Sequence, residues 1–146
     1  MFEKIGLASD HAGFKLKECL RNWLIDEGYQ VIDYGCNSAE SCDYPDFGHP
    51  LARAVSDGVC TYGISMCGSG NGINMVANKY PKIRSALCWN KEIASLARRH
   101  NDANMCALPA RFLVPSEAEA IVREFLETDF EAGRHTARIR KIPINS

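Results

Sequence analysis

The strongest constraint on this chain is the regular alternation of short apolar runs with amphipathic stretches. Runs at 4–9 (KIGLAS), 29–34 (YQVIDY), 62–66 (YGISM), 84–89 (RSALCW) and 105–108 (MCAL) read as five strands. Between them lie segments with helical spacing. Leu16, Leu20, Trp23 and Leu24 form one apolar face over 15–27, with Gly28 as the stop. Further helices are predicted at 47–57, ended by Gly58, at 73–79, closed by Pro81, and at 91–99. Ser116 followed by Glu119 reads as a capping box opening a helix to about residue 127. The tail from 133 to about 142 is basic and reads as a helix. The turn-rich stretch 35–46 (GCNSAESCDYPD) is the longest loop.

Strands alternating with helices at this spacing imply βαβ units, hence an α/β fold with a parallel sheet covered on both faces. At 146 residues, with no internal repeat and no Gly/Ser linker, the expectation is one domain spanning 1–146. A net charge of −1 and an isoelectric point near 6.4 argue against coating nucleic acid. The opening residues carry Glu3 and two glycines where a signal peptide needs an unbroken apolar stretch, and no run is long enough to span a membrane. The seven cysteines, an odd number without a Cys-x-x-Cys pair, read as reduced thiols in a cytoplasm.

In an open α/β sheet, ligands sit beyond the carboxyl ends of the strands. Asp10 and His11 follow the first strand. Cys67-Gly68-Ser69-Gly70-Asn71-Gly72 follows the third. His100, Asn101 and Asp102 follow a helix and are expected to join the same cluster. The glycines of CGSGNG let backbone N–H groups approach an anion or a developing oxyanion. Their spacing is neither the dinucleotide fingerprint nor a P-loop. A ligand-free turn remains the competing reading. Cys67, ahead of a helix N-terminus, suits a base or nucleophile; a buried structural thiol is the alternative. His100, after Arg98 and Arg99, reads as an acid or as an exposed capping residue. Asp10 could equally cap the helix after it. Arg134 and Arg138 lie one helical turn apart and would make a phosphate clamp, with Lys141 extending their face. Cys36 and Cys42, with Asp43 and His49 nearby, match no zinc spacing.

Seven segments in order carry a resemblance. SDHAGF (9–14), DYPDF (43–47), CGSGNG (67–72), ANK (77–79), RSAL (84–87), HNDAN (100–104) and GRH (133–135) are similar to those of the type B ribose-5-phosphate isomerases, grouped with the galactose-6-phosphate isomerase subunits. The resemblance implies a Rossmann-like three-layer α/β/α sandwich with a five-stranded parallel sheet, plus a C-terminal helix. It implies a homodimer or tetramer with sites shared at the interface, and aldose–ketose isomerisation of ribose 5-phosphate without metal or cofactor. Cys67 would be the base, His100 would assist ring opening, and Ser69 would keep the hydroxyl for which many members use threonine. The N–H groups of Gly68, Ser69, Gly70, Asn71 and Gly72 would hold the enediolate. Asp10 and His11 would bind sugar hydroxyls or help open the ring, Asn101 would bind the sugar, and Arg111, Arg134 and Arg138 would bind substrate, the latter two chiefly at the phosphate. Some members carry a glutamate base, but Ile73-Asn74-Met75 offers no carboxylate. Two other readings are an isomerase of galactose 6-phosphate or allose 6-phosphate, and a non-catalytic phosphate- or nucleotide-sensing module.

Overall fold

The computed structural model describes residues 3–144. Its sheet has five strands: β1 (Lys4–Ser9), β2 (Gln30–Asp33), β3 (Tyr62–Cys67), β4 (Ser85–Leu87) and β5 (Met105–Pro109). Their spatial order is β2-β1-β3-β5-β4, and every pairing is parallel. The helices are α1 (Phe14–Asp26), α2 (Tyr44–Ser56), α3 (Asn71–Ala77), α4 (Lys91–Asn101), α5 (Pro115–Glu127) and α6 (Arg134–Ile139).

Strand alternation assigns the two layers of helix. Ile5 and Leu7 of β1, Ile64 and Met66 of β3, and Cys106 and Leu108 of β5 face one side. There they pack on Leu16, Leu20 and Leu24 of α1, Ala94 and Ala97 of α4, and Ile121, Val122 and Phe125 of α5. Ala8 and Met105 face the other side, against Leu51, Ala52 and Val55 of α2 and Ala77 of α3. Cys67 faces this second side as well, packed with Ile73 and Ala107.

Several boundaries differ from the sequence reading. Helix α2 starts at Tyr44 rather than 47, because Pro45 sits in its first turn, where a missing N–H costs nothing. The loop after β2 accordingly ends at Asp43 rather than 46. Helix α3 begins at Asn71 rather than 73, straight from the left-handed Gly70. Helix α5 is not capped by Ser116 and Glu119. The Glu117 carboxylate instead accepts the Val114 N–H at 3.0 Å, and Pro115 opens the helix. Helix α4 runs on through His100 to Asn101, ending at Asp102 in the left-handed region (φ 46°). Helix α6 ends at Ile139, so Lys141 lies past it in a turn.

Among the described residues, no helix is long and apolar enough to cross a membrane.

Candidate active site

The sheet reverses its winding between β1 and β3: the chain leaves β1 for one edge and β3 for the other. The crevice at this switch point opens beyond the carboxyl ends of those two strands. Asp10 and His11 follow β1, and Cys67 is the last residue of β3.

Asp10 is buried, and its Oδ1 accepts the N–H groups of Ala12 and Gly13 at 3.0 and 3.1 Å. The capping role is therefore present, on the short 3-10 turn before α1. His11 Nδ1 accepts the Cys42 N–H at 3.2 Å. With Nδ1 engaged as an acceptor, a neutral ring carries its proton on Nε2.

The 68–72 turn is held by close packing. Gly70 has φ 78°, and a Cβ there would fall 2.6 Å from Leu87 Cδ1 and 3.0 Å from the Leu108 backbone. Against Gly72 lies the Tyr44 ring; a Cβ there would meet Tyr44 Cε1 at 2.6 Å. The Ser69 hydroxyl accepts the Asn71 N–H at 3.3 Å, tying the middle of the turn to the start of α3.

Arg111 arrives from the segment after β5. Its N–H donates to the Gly68 carbonyl at 3.0 Å, and its guanidinium lies over Gly68, where a Cβ would come within 3.0 Å of Nη1. A buried thiol, a glycine-rich turn that leads into α3 and a cation thus meet at one crevice. This can remove a proton from carbon and stabilise the resulting oxyanion.

His100 and Asn101 do not join this group within one chain. In a parallel sheet, a helix that follows a strand returns to the opposite edge. The end of α4 is therefore at the amino edge of the sheet, where the Asn104 carbonyl accepts the Gly63 N–H at the start of β3. Cys67 pairs with Pro109 at the far end. The six residues of β3 separate the two edges by about 20 Å. The expectation of a single cluster at the carboxyl ends is corrected accordingly.

At the amino edge, His100 has its own company. The chain turns at Ala132 and Gly133 (φ 58° and 59°) and brings α6 back onto α4. The His135 ring stacks on His100 with centroids 4.3 Å apart. His100 Nε2 lies 3.6 Å from the Glu131 carboxylate, which also faces Arg99 at 3.7 Å. Burial lowers the His135 imidazole below its ordinary value, and the neighbouring His100 and Arg134 act in the same direction. Arg134 and Arg138 both lie on α6, exposed. The tail docks on α4 rather than leaving the fold.

The peptide around His100 is clamped. Arg84 Nη2 donates to the Asp102 carbonyl at 2.8 Å, and its Nε donates to the Asn101 carbonyl at 2.9 Å. Arg98 is buried, donates to Asp102 Oδ1 at 2.9 Å and the Ala103 carbonyl at 2.6 Å, and lies over the Tyr62 ring. Arg98 is thus a structural anchor. A cavity of about 550 Å³ opens beside Arg84, lined by Tyr80, Asn101, Ile142 and Ile144 among others. Of the sequence candidates it touches Asn101 alone.

The reading from sequence gave no role to Tyr44, Glu131 or His135. Tyr44 and His135 fall inside the DYPDF and GRH segments, so position was the available signal. Nothing in the sequence marks Glu131.

Among the described residues, the donor atoms that approach within metal-binding reach of one another belong to His100, Glu131 and His135. Cys36, Cys42, Asp43 and His49 form no such set; His49 Nδ1 instead shares a 2.7 Å hydrogen bond with the Tyr80 hydroxyl.

Comparison with known proteins agrees with this architecture. The family profile described as Ribose/Galactose Isomerase matches residues 5–142. The chain is 43% identical over 143 residues to a probable ribose-5-phosphate isomerase B of Mycoplasma pneumoniae, covering 97% of this chain and 94% of that one. Identity to the ribose-5-phosphate isomerase B of Escherichia coli is 39% over 140 residues, covering 96% and 94%. Among solved structures, a ribose 5-phosphate isomerase from Thermotoga maritima superposes with a TM-score of 0.96 at 45% identity, covering 98% of this chain and 99% of that chain. The Mycoplasma genitalium ribose-5-phosphate isomerase B, solved with bound ribulose-5-phosphate, gives 0.91 at 40% identity, covering 95% and 93%. With one profile spanning nearly the whole chain and the same five-stranded frame in its relatives, this protein belongs to the ribose/galactose isomerase family.

Proposed function

We propose that the chain interconverts ribose 5-phosphate and ribulose 5-phosphate, with each active site assembled from two copies. The observation that carries the chemistry is the convergence of Cys67, the 68–72 turn and Arg111 at the switch point. A carbon acid beside a carbonyl needs both a placed base and a place for negative charge.

The steps balance without an oxidant. A proton from His100 reaches the furanose ring oxygen as the anomeric hydroxyl loses its own, and the C1–O bond of the ring opens to the aldehyde. The Cys67 sulfur then takes the hydrogen from C2 as a proton. The electron pair forms the C1–C2 double bond and places charge on O1, which the N–H groups of 68–72 hold. A proton moves from O2 to O1, and the Cys67 thiol returns its proton to C1, leaving the ketone at C2. Ser69 and Asn71 border the enediolate, while Asp10, His11 and Asn101 bind sugar hydroxyls. Arg134 and Arg138 grip the phosphate, whose binding energy fixes the reacting carbons in place.

Cys67 and His100 stand at opposite edges of one sheet, so the step sequence needs the amino edge of a second copy facing the crevice of the first. A homodimer, alone or paired into a tetramer, meets this need with two equivalent sites. The seven free thiols fit a reducing compartment such as the cytoplasm.

The test is proton NMR of ribose 5-phosphate in heavy water with the purified protein and a chelator. Loss of the C2 proton signal with appearance of ribulose 5-phosphate is expected. Binding with no conversion to ribulose 5-phosphate would instead indicate a sensing module. Faster turnover of galactose 6-phosphate or allose 6-phosphate in the same assay would move the substrate within the family.

A further inference from the structure

Three groups at the amino edge form a donor set that the isomerisation does not use as a set. The ligand atoms of His100, Glu131 and His135 all lie within 4.8 Å of one another. Two imidazoles and one carboxylate are the donor set of open zinc sites, which leave a fourth position for water or another ligand.

The geometry is close to what such a site needs. Donors around a tetrahedral zinc with ~2.1 Å bonds stand roughly 3.4 Å apart. All three side chains are partly exposed; the His100 and His135 rings are stacked 4.3 Å apart with 16° between their planes, so one ring turns out of the stack to bring both in-plane lone pairs to one metal. The backbone that presents them is fixed. The Glu131 N–H donates to the Arg99 carbonyl at 3.0 Å, and the His135 N–H donates to the Ala132 carbonyl at 3.2 Å. The opposing charges are Arg99, 3.7 Å from Glu131, which a cation would displace into solvent, and Arg134 and Arg138, whose charges reach His135.

We propose that His100, Glu131 and His135 form an inhibitory site for a divalent d-block cation of the Zn²⁺ type, which withdraws His100 from ring opening when it binds. The binding half stands on this geometry alone. The inhibitory half rests on the isomerase reading given above.

The test is calorimetric titration of the full-length protein with zinc chloride at pH 7.5, repeated on Glu131→Gln, His135→Ala and Cys67→Ala. One zinc per chain is expected in the unsubstituted protein. Glu131→Gln and His135→Ala should weaken it by about tenfold or more, since even an outer partner of a metal ligand is worth that much. Cys67→Ala should leave it unchanged. In parallel, zinc should slow ribose 5-phosphate turnover and a chelator should restore it. Glu131→Gln should turn over substrate while needing at least about tenfold more zinc for the same inhibition.

Equal zinc affinity in all four proteins would overturn the site. So would loss of binding in Cys67→Ala, which would assign the metal to the thiol. If the titrations follow the expected pattern but turnover ignores zinc, the inhibitory half fails. If no sugar phosphate is turned over while the titrations still follow the pattern, the isomerase reading fails and the cation site stands.

Discussion

At the scale of single residues, the crevice depends on backbone shape as much as on functional groups. Gly70 combines a left-handed φ of 78° with contacts that leave no room for a side chain. Gly70→Ala should therefore cost about 2 kcal/mol through strain alone and should also displace the N–H groups that hold the oxyanion. Chemical denaturation would read the first effect, and turnover of ribose 5-phosphate the second. A variant of wild-type stability and activity would contradict the packing described. Tyr34 supplies a different kind of test. Burial, and then its hydrogen bond with Cys60, push its phenol up to about 12. The fold thus holds Tyr34 protonated where an unfolded tyrosine ionises, near pH ~10. Its contribution is complete below that pH and is lost as pH rises toward 12. The melting temperature should fall across this alkaline window, and Tyr34→Phe should make the fall shallower. Identical pH profiles for both proteins would remove Tyr34 as a cause.

At the scale of elements, the joint between α1 and β2 is made by an ion pair on a buried lysine. Lys17 is fully buried, with Nζ 2.6 Å from Asp33 Oδ2 and 2.9 Å from Glu18. Asp33 Oδ1 also accepts the Gly35 N–H at 2.9 Å. Asp33→Ala leaves the buried ammonium with Glu18 as its one carboxylate and should cost about 2 kcal/mol, whereas Lys17→Met with Asp33→Asn should recover most of that loss. Denaturant midpoints for the single and double variants decide it; a double variant no better than the single would contradict the pairing. Lys17 also shows where periodicity fails as a guide. The apolar face Leu16, Leu20 and Leu24 was legible, but a lysine inside that layer was not, because its partner comes from another strand. Element existence and order were readable throughout, since alternation and helical spacing are local signals. Helix starts were less so: Pro45 and Glu117 replaced the stops and caps expected from the sequence, through contacts as local as those they displaced.

At the scale of the whole molecule, the sequence order of the candidate residues hid their distribution over two edges. Cys67, the 68–72 turn, Asp10, His11 and Arg111 gather at the carboxyl edge, as strand-end logic anticipates. His100 and Asn101 sit at the amino edge, because α4 carries them back along the sheet before the chain enters β5. Sequence alone shows that a helix precedes His100. Only the extension of α4 through Asn101, and the parallel pairing of β4 with β5, turn that into a statement about which edge it occupies. The clamps from Arg84 and Arg98 and the stacked His135 are likewise products of tertiary contact. Their partners lie up to 36 residues away along the chain, beyond the reach of local pattern.

Isomerisation depends on the joining of these two edges between copies. Cys67→Ala and His100→Asn proteins, each inactive alone, should regain activity when mixed, unfolded and refolded together. Random pairing into dimers carrying one intact site each gives about a quarter of wild-type turnover. Mixed dimers that form, as seen by native mass spectrometry, yet show no isomerisation of ribose 5-phosphate would contradict it.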